Sequence, residues 1–149
     1  MDWKKIYSLP FVVTIETKIR EFQYKVLNNI VFTNEKLFRF KMIDSPLCPF
    51  CKKDVESLKH LLFQCTLIEG FWKAFTSWLI NQNISLEALT LVNILFHVYN
   101  ENEDIILNHL ILMAKFDIYK CKLNKQESDI ESLHSLHQDS LSNRATNCN

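Results

Sequence analysis

The sequence predicts an all-α fold: a small helical domain carrying one Cys-Cys-His-Cys zinc knuckle, followed by a polar C-terminal tail. Three observations carry that expectation. Glycine occurs once, at Gly70, and proline three times, too few turn formers for a many-stranded sandwich or barrel. Apolar residues recur at helical spacing through most of the first 125 positions, the pattern of helices with one buried face. Three Cys and one His fall within residues 48–65, and thiolate and imidazole are the donors that zinc prefers. The chain has 149 residues, 48% of them apolar, with eleven Phe and three Trp, enough to fill a single core.

In chain order, residues 1–12 read as a short lead, with Trp3, Ile6 and Tyr7 before a turn at Leu9-Pro10-Phe11. Thr14 is the expected cap of a helix beginning near Ile15. Its apolar stripe is Ile15, Ile19, Phe22, Val26 and Ile30, opposite Lys18, Arg20, Glu21 and Lys25. Thr33 is placed to cap a second, short helix with Leu37, Phe38 and Met42 inward. Pro46 and Pro49 make residues 44–51 a loop. Ser57 opens a helix through Leu58, Leu61, Leu62 and Phe63, and an amphipathic helix follows with Leu67, Phe71, Trp72, Phe75, Trp78 and Leu79. Ser85 begins another through Leu86, Leu91, Ile94 and Leu95, with a strand as the alternative over residues 91–99. Asn102 caps a helix bearing Ile106, Leu110, Met113 and Ile118. After Lys125 the composition turns to Ser, Asn and Gln. Residues 1–125 are therefore expected to form the zinc-binding domain, with its knuckle at about 44–66. Residues 126–149 are expected to be a tail, a weak helix near 128–141 or without fixed structure.

Composition excludes several classes. A single glycine cannot build a dinucleotide fingerprint or a P-loop. No apolar run approaches the ~20 residues of a membrane span, so no membrane partner is expected. Five cysteines without a secretory leader point to a reducing intracellular compartment, nucleus or cytoplasm, where clustered Cys more often bind metal than pair as disulfides. The formal net charge is zero, yet residues 1–60 hold eleven Lys/Arg against seven Asp/Glu. That basic half suits a polyanionic partner, or simply solvated helix faces.

The metal set is Cys48, Cys51, His60 and Cys65. Two Cys separated by two residues bend around one ion through a tight loop, and His60 and Cys65 close the tetrahedron from about one helical turn. Four protein ligands leave no open position, so the site is expected to be structural, supplying about 10 kcal/mol or more of folding free energy. A redox reading of Cys48–Cys51 lacks the βαβ setting it requires. Cys121, His97 and His109 read as satisfied core residues, Cys148 as incidental, and His134 and His137 as a solvated pair. No nucleophile elbow, carboxylate pair or open metal site can be assembled, and no enzymatic activity is expected.

The runs Thr17-Lys18-Ile19-Arg20-Glu21-Phe22-Gln23-Tyr24-Lys25 and Thr33-Asn34-Glu35-Lys36-Leu37, the block from Cys48-Pro49-Phe50-Cys51 to His60-Leu61-Leu62-Phe63-Gln64-Cys65, and Phe71-Trp72 together resemble the reverse-transcriptase zinc-binding domain. That domain ends the polyproteins of LINE-type non-LTR retrotransposons. The resemblance runs over about residues 3–125, with Asn108-His109-Leu110-Ile111-Leu112-Met113-Ala114-Lys115 in its helical continuation. It implies a helical module holding Zn2+ on Cys48, Cys51, His60 and Cys65, and helping its parent enzyme engage nucleic acid. It does not imply polymerase activity, whose paired aspartates this chain lacks.

Two functional classes follow. In the first, the partner is RNA or single-stranded DNA. Lys36, Arg39, Lys41, Lys52, Lys53 and Lys59 contact phosphates, and Phe50 either stacks on an unpaired base or packs beneath the zinc loop. In the second, zinc only staples the fold, and a surface around Trp72, Phe75 and Trp78 docks on a reverse transcriptase polymerase domain. A non-functional retrotransposon remnant is the third reading.

Overall fold

The computed structural model describes residues 1–84, 86, 88–97 and 105–124. Its helices, in order, are α1 (Trp3–Val13), α2 (Thr17–Leu27), α3 (Asn34–Arg39), a π-helical turn (His60–Gln64), α4 (Thr66–Asn81), α5 (Leu91–Phe96) and α6 (Ile105–Asn124). Among the described residues there is no strand. The nearest approach to one is an isolated antiparallel bridge between Leu47 and Val55. The all-α expectation therefore holds.

The N-terminal segment is a full helix rather than a lead and turn. Asp2 caps α1, accepting the Lys5 amide at 3.2 Å, and Pro10 sits inside the helix, buried together with Ile6 and Val13. The helix runs only three residues past Pro10, so little of it depends on the missing amide. Thr14 is the C-cap of α1, not the N-cap of α2; its hydroxyl accepts the Glu16 amide at 3.2 Å. That later start rotates Ile15 out to 89% exposure, and Ile30 lies beyond the helix and exposed, whereas Ile19, Phe22 and Val26 are buried as expected.

Thr33 does stand at the N-cap of α3, but its hydroxyl makes no hydrogen bond. The Asn34 amide is met instead by the Glu56 carboxylate at 2.7 Å. Phe38 and Met42 are exposed, contrary to their inward placement from the sequence. Six residues are too short for a periodic stripe to fix a face. α5 begins at Thr90 with a reciprocal capping box: the Asn93 amide reaches Thr90 Oγ1 at 3.3 Å, and the Thr90 amide reaches Asn93 Oδ1 at 3.0 Å. Residues 91–96 are thus helical and not a strand. The caps expected at Ser85 and Asn102, the weak helix at 128–141, His134, His137 and Cys148 lie outside the described residues.

α6 is the axis of the domain. It packs on α1, α2, α5 and the π turn. It buries residues around nearly its whole circumference, from Leu107 through Ile111, Leu112, Ala114 and Ile118 to Cys121, as expected of a helix wrapped by its neighbours. The same core holds Phe22 and Val26 of α2, Leu61 and Leu62 of the π turn and Ile94 of α5, together with Ile68, Phe71, Trp72, Phe75 and Leu79 of α4, which packs on the π turn. Phe22 stacks on Tyr119 at 5.1 Å, and Trp72 meets Phe75 edge-on at 5.3 Å. Trp72 and Phe75 are therefore core residues, with Trp78 partly buried against them. The docking surface expected there is turned inward.

Candidate metal centre

The knuckle is a tight hairpin laid against the core. The Cys48 amide donates to the Asp54 carbonyl at 2.8 Å and the Glu56 amide to the Pro46 carbonyl at 2.9 Å, which closes the two arms. At the tip, the Lys52 amide returns to the Cys48 carbonyl at 2.9 Å, with Lys52 itself at φ 56°. These bonds fold Cys48 and Cys51 to one side of the loop.

The other two ligands come from an unusual turn. Ser57 caps it as the sequence suggested, its hydroxyl accepting the His60 amide at 3.1 Å and its carbonyl the Leu61 amide at 2.9 Å. The backbone then widens to π geometry, the Cys65 amide bonding the His60 carbonyl at 3.0 Å. On an α-helix, positions five apart point about 140° away from each other. The i→i+5 turn brings residue 65 back over residue 60, so both side chains reach one point. π turns of this kind recur at functional sites. The sequence places His60 and Cys65 on an ordinary helical turn; the structure brings them together through a wider one.

The ligand atoms of Cys48, Cys51, His60 and Cys65 all lie within 4.8 Å of one another. Cys48 Sγ and Cys65 Sγ are 3.9 Å apart, and Cys51 Sγ and His60 Nε2 are 3.4 Å apart. Donors on a tetrahedron around zinc, at ~2.3 Å for sulfur and ~2.0 Å for nitrogen, are separated by roughly 3.5–3.8 Å. These two edges lie close to that figure, and His60 presents Nε2 to the set. Cys48, His60 and Cys65 are buried and Cys51 is half-buried.

Electrostatics favour the thiolate at Cys65. The Cys48 thiol beside it, and the Leu67 and Ile68 amides at the start of α4, hold it below the usual thiol range. Its neighbour Cys48 is pushed well above the usual thiol range by that same shared proton and by burial. A cation that displaces the proton lets both sulfurs bond as thiolates.

Beneath the knuckle lies a residue that the sequence reading passed over. Glu56 is fully buried; it accepts the Asn34 amide on Oε1 and pairs with Lys122 of α6. Lys122 also donates to the Phe32 carbonyl at 2.7 Å. Burial raises the Glu56 carboxyl above its usual range, against the lowering by Lys122. Trp72 of α4 ties the π turn from the other side, its indole N–H donating to the Leu62 carbonyl at 2.7 Å. Nothing in a sequence of scattered charges marks Glu56 and Lys122 as partners.

The expected nucleic-acid contacts divide. Arg39, Lys41, Lys52, Lys53 and Lys59 are exposed, Arg39 at 3.8 Å from Glu35. Lys36 is engaged by the Asn29 carbonyl and side chain, and burial lowers its ammonium below the usual range. Phe50 is buried in the core beneath the knuckle, so it packs under the loop and does not present its ring for stacking. Phe32, Phe38 and Phe40, not singled out from the sequence for stacking, are exposed rings around α3. His109 is satisfied by the Val13 carbonyl at 2.7 Å. His97 is buried with neither ring nitrogen hydrogen-bonded, contrary to the expectation of a satisfied residue. Cys121 is core, as expected.

Fold and site together define a helical domain with a Cys3His group placed to hold one metal ion. Residues 2–72 match the family described as zinc-binding in reverse transcriptase, which bears out the resemblance read from the sequence over that stretch. No curated protein and no solved structure gives a match. No helix among the described residues is long and apolar enough to cross a membrane.

Proposed function

We propose that the chain is a zinc-stapled nucleic-acid-binding module without catalytic chemistry of its own. Three thiols and one imidazole at tetrahedral spacing are the donor set of structural Zn2+. The residues that would hold it are Cys48, Cys51, His60 and Cys65; the ion supplies cross-linking and no open coordination position. The observation that carries the reading is the belt of exposed cations around this closed centre, with Arg39 and Lys41 at the end of α3, Lys52 and Lys53 at the hairpin tip, and Lys59 at the π turn. The family matched by residues 2–72 takes its name from an enzyme that copies nucleic acid, which makes RNA or single-stranded DNA the polyanion of choice. A retrotransposon reverse transcriptase is the natural parent.

Phosphate contacts are independent of sequence and steeply salt-dependent. The zinc-loaded variant Lys41→Glu/Lys53→Glu/Lys59→Glu should bind an RNA or DNA strand more weakly in fluorescence anisotropy. Its salt slope should fall by about two, close to 0.7 per lost contact. Wild-type affinity and slope in that variant would sink the reading.

A further inference from the structure

A second surface lies away from the metal centre, between α1 and α2. Tyr7, Pro10 and Phe11 of α1 and Arg20, Tyr24 and Leu27 of α2 line a half-open groove of about 470 Å³, within the ~300–1,000 Å³ usual for ligand sites. Its rings face solvent: Phe11 is 66% and Tyr24 55% exposed. Trp3 and Tyr7, at 6.4 Å, and Tyr7 and Tyr24, at 6.5 Å, form one aromatic row.

Arg20 is pre-positioned in this groove. Its Nε donates to the Thr14 carbonyl at 2.7 Å and Nη2 to the Phe11 carbonyl at 3.4 Å, with the guanidinium 4.9 Å over the Phe11 ring. Two donors are used of the five that a guanidinium carries. Lys4 is exposed three residues before Tyr7, on the same stripe of α1. Glu21, the acid in the lining, is neutralised by Lys25 at 2.6 Å. The uncompensated charge of the groove is therefore positive.

We infer that the groove binds single-stranded nucleic acid, with bases stacked on Tyr24 and Phe11 and a phosphate held by Arg20. An apolar helix seated there would bury the remaining Arg20 donors without acceptors, which is costly. A second copy of the chain would bring like charges together. Exposed rings take any base by its π-face, and a fixed guanidinium beside them takes the phosphate. A duplex keeps its bases stacked inside, so this groove reads strandedness, which phosphate contacts at the knuckle do not. The inference concerns a contact separate from the knuckle and extends the nucleic-acid reading to a class of strand.

The test is anisotropy of the zinc-loaded full chain with labelled oligo-dT and with a duplex of equal length. Tyr24→Ala should lose about tenfold in affinity for oligo-dT, the scale of one stacked base, with duplex binding unchanged. Tyr24→Phe, which keeps the ring, should bind as wild type does. Phe11→Ala provides a second exposed position should Tyr24→Ala melt early. Wild-type oligo-dT affinity in both alanine variants overturns the groove, while a loss confined to the triple Lys→Glu variant leaves the knuckle reading standing. A groove effect with no effect of the Lys→Glu changes sinks the knuckle reading alone. Concentration-dependent dimerisation removed by Tyr24→Ala, without change in oligo-dT binding, overturns the inference in favour of a second copy.

Discussion

Cys65 shows how much one side chain can be asked to do. It belongs to the candidate metal set, and it is both the C-cap of the π turn and the N-cap of α4. The spacing of ligand-type residues made it legible in the sequence; its position at a helix start was not, because nothing local distinguishes a widened turn from an ordinary one. Phe50 was legible only as two alternatives, and its burial settles them. Lys115 could not be read at all. It lies in an apolar helical run, yet it is fully buried with its ammonium 2.5 Å from Gln23 Oε1. Gln23 in turn donates to the Leu95 carbonyl at 3.0 Å.

Burial brings the Lys115 ammonium from the usual 10.5 down to about 7. Between those pH values the unfolded chain holds a proton that the folded chain does not. Stability therefore rises with pH across that window, by up to about 1.4 kcal/mol per unit, and below pH 7 the full cost of the buried charge is present. The double variant Lys115→Met/Gln23→Leu removes both the charge and its acceptor. It should be more stable than wild type at pH 6.5, and the gap should narrow steadily towards pH 9 in paired urea titrations. A constant gap would mean that the ammonium is not titrating in the folded state.

At the scale of elements, the helices with long apolar stripes were readable and the short ones were not. α2 and α4 bury the middle of their assigned stripes, Ile19, Phe22 and Val26 or Phe71, Phe75 and Leu79, and α6 buries Leu110 and Ile118, whereas Ile15, Ile30, Leu67 and Ile106 are exposed. α3 is set by the Glu56 carboxylate at its N-terminus and by the Asn34 side chain on the Leu47 carbonyl at 2.8 Å. Both are contacts across the chain that no local pattern encodes. The same Glu56 is the bolt between the knuckle and α6. Removing only its cation, as in Lys122→Met, leaves a buried carboxylate with no counter-charge and should cost ~3–5 kcal/mol. Glu56→Gln/Lys122→Met, with both charges gone, should recover much of that loss. Equal losses in the single and double variants, by chemical denaturation, would show that packing and not charge dominates this contact.

For the molecule as a whole, the matched segment and the folding unit do not coincide. Residues 2–72 contain every metal ligand, but the core that supports them is completed by the second half of α4, by Ile94 of α5, and by Leu107, Ile111 and Ile118 of α6. A fragment of residues 1–72 should therefore show no cooperative thermal transition by circular dichroism, even with zinc added. A sharp, zinc-dependent melt would make the matched stretch a domain by itself. That Ile105–Asn124 is helical was legible from apolar periodicity. The central place of α6 was not, since a sequence shows that a helix is apolar all round without showing what surrounds it.

The bond from the Trp72 indole to the Leu62 carbonyl has one more consequence. Trp72 is buried, whereas Trp3 is half in solvent, and its N–H is anchored to the turn that presents His60 and Cys65. Any loosening of that turn on loss of the ion frees the indole from its acceptor and admits water to a ring that is otherwise dry. The chain thus carries a built-in optical gauge, in which the colour of Trp72 emission reads out whether the staple at the far end of the turn is closed.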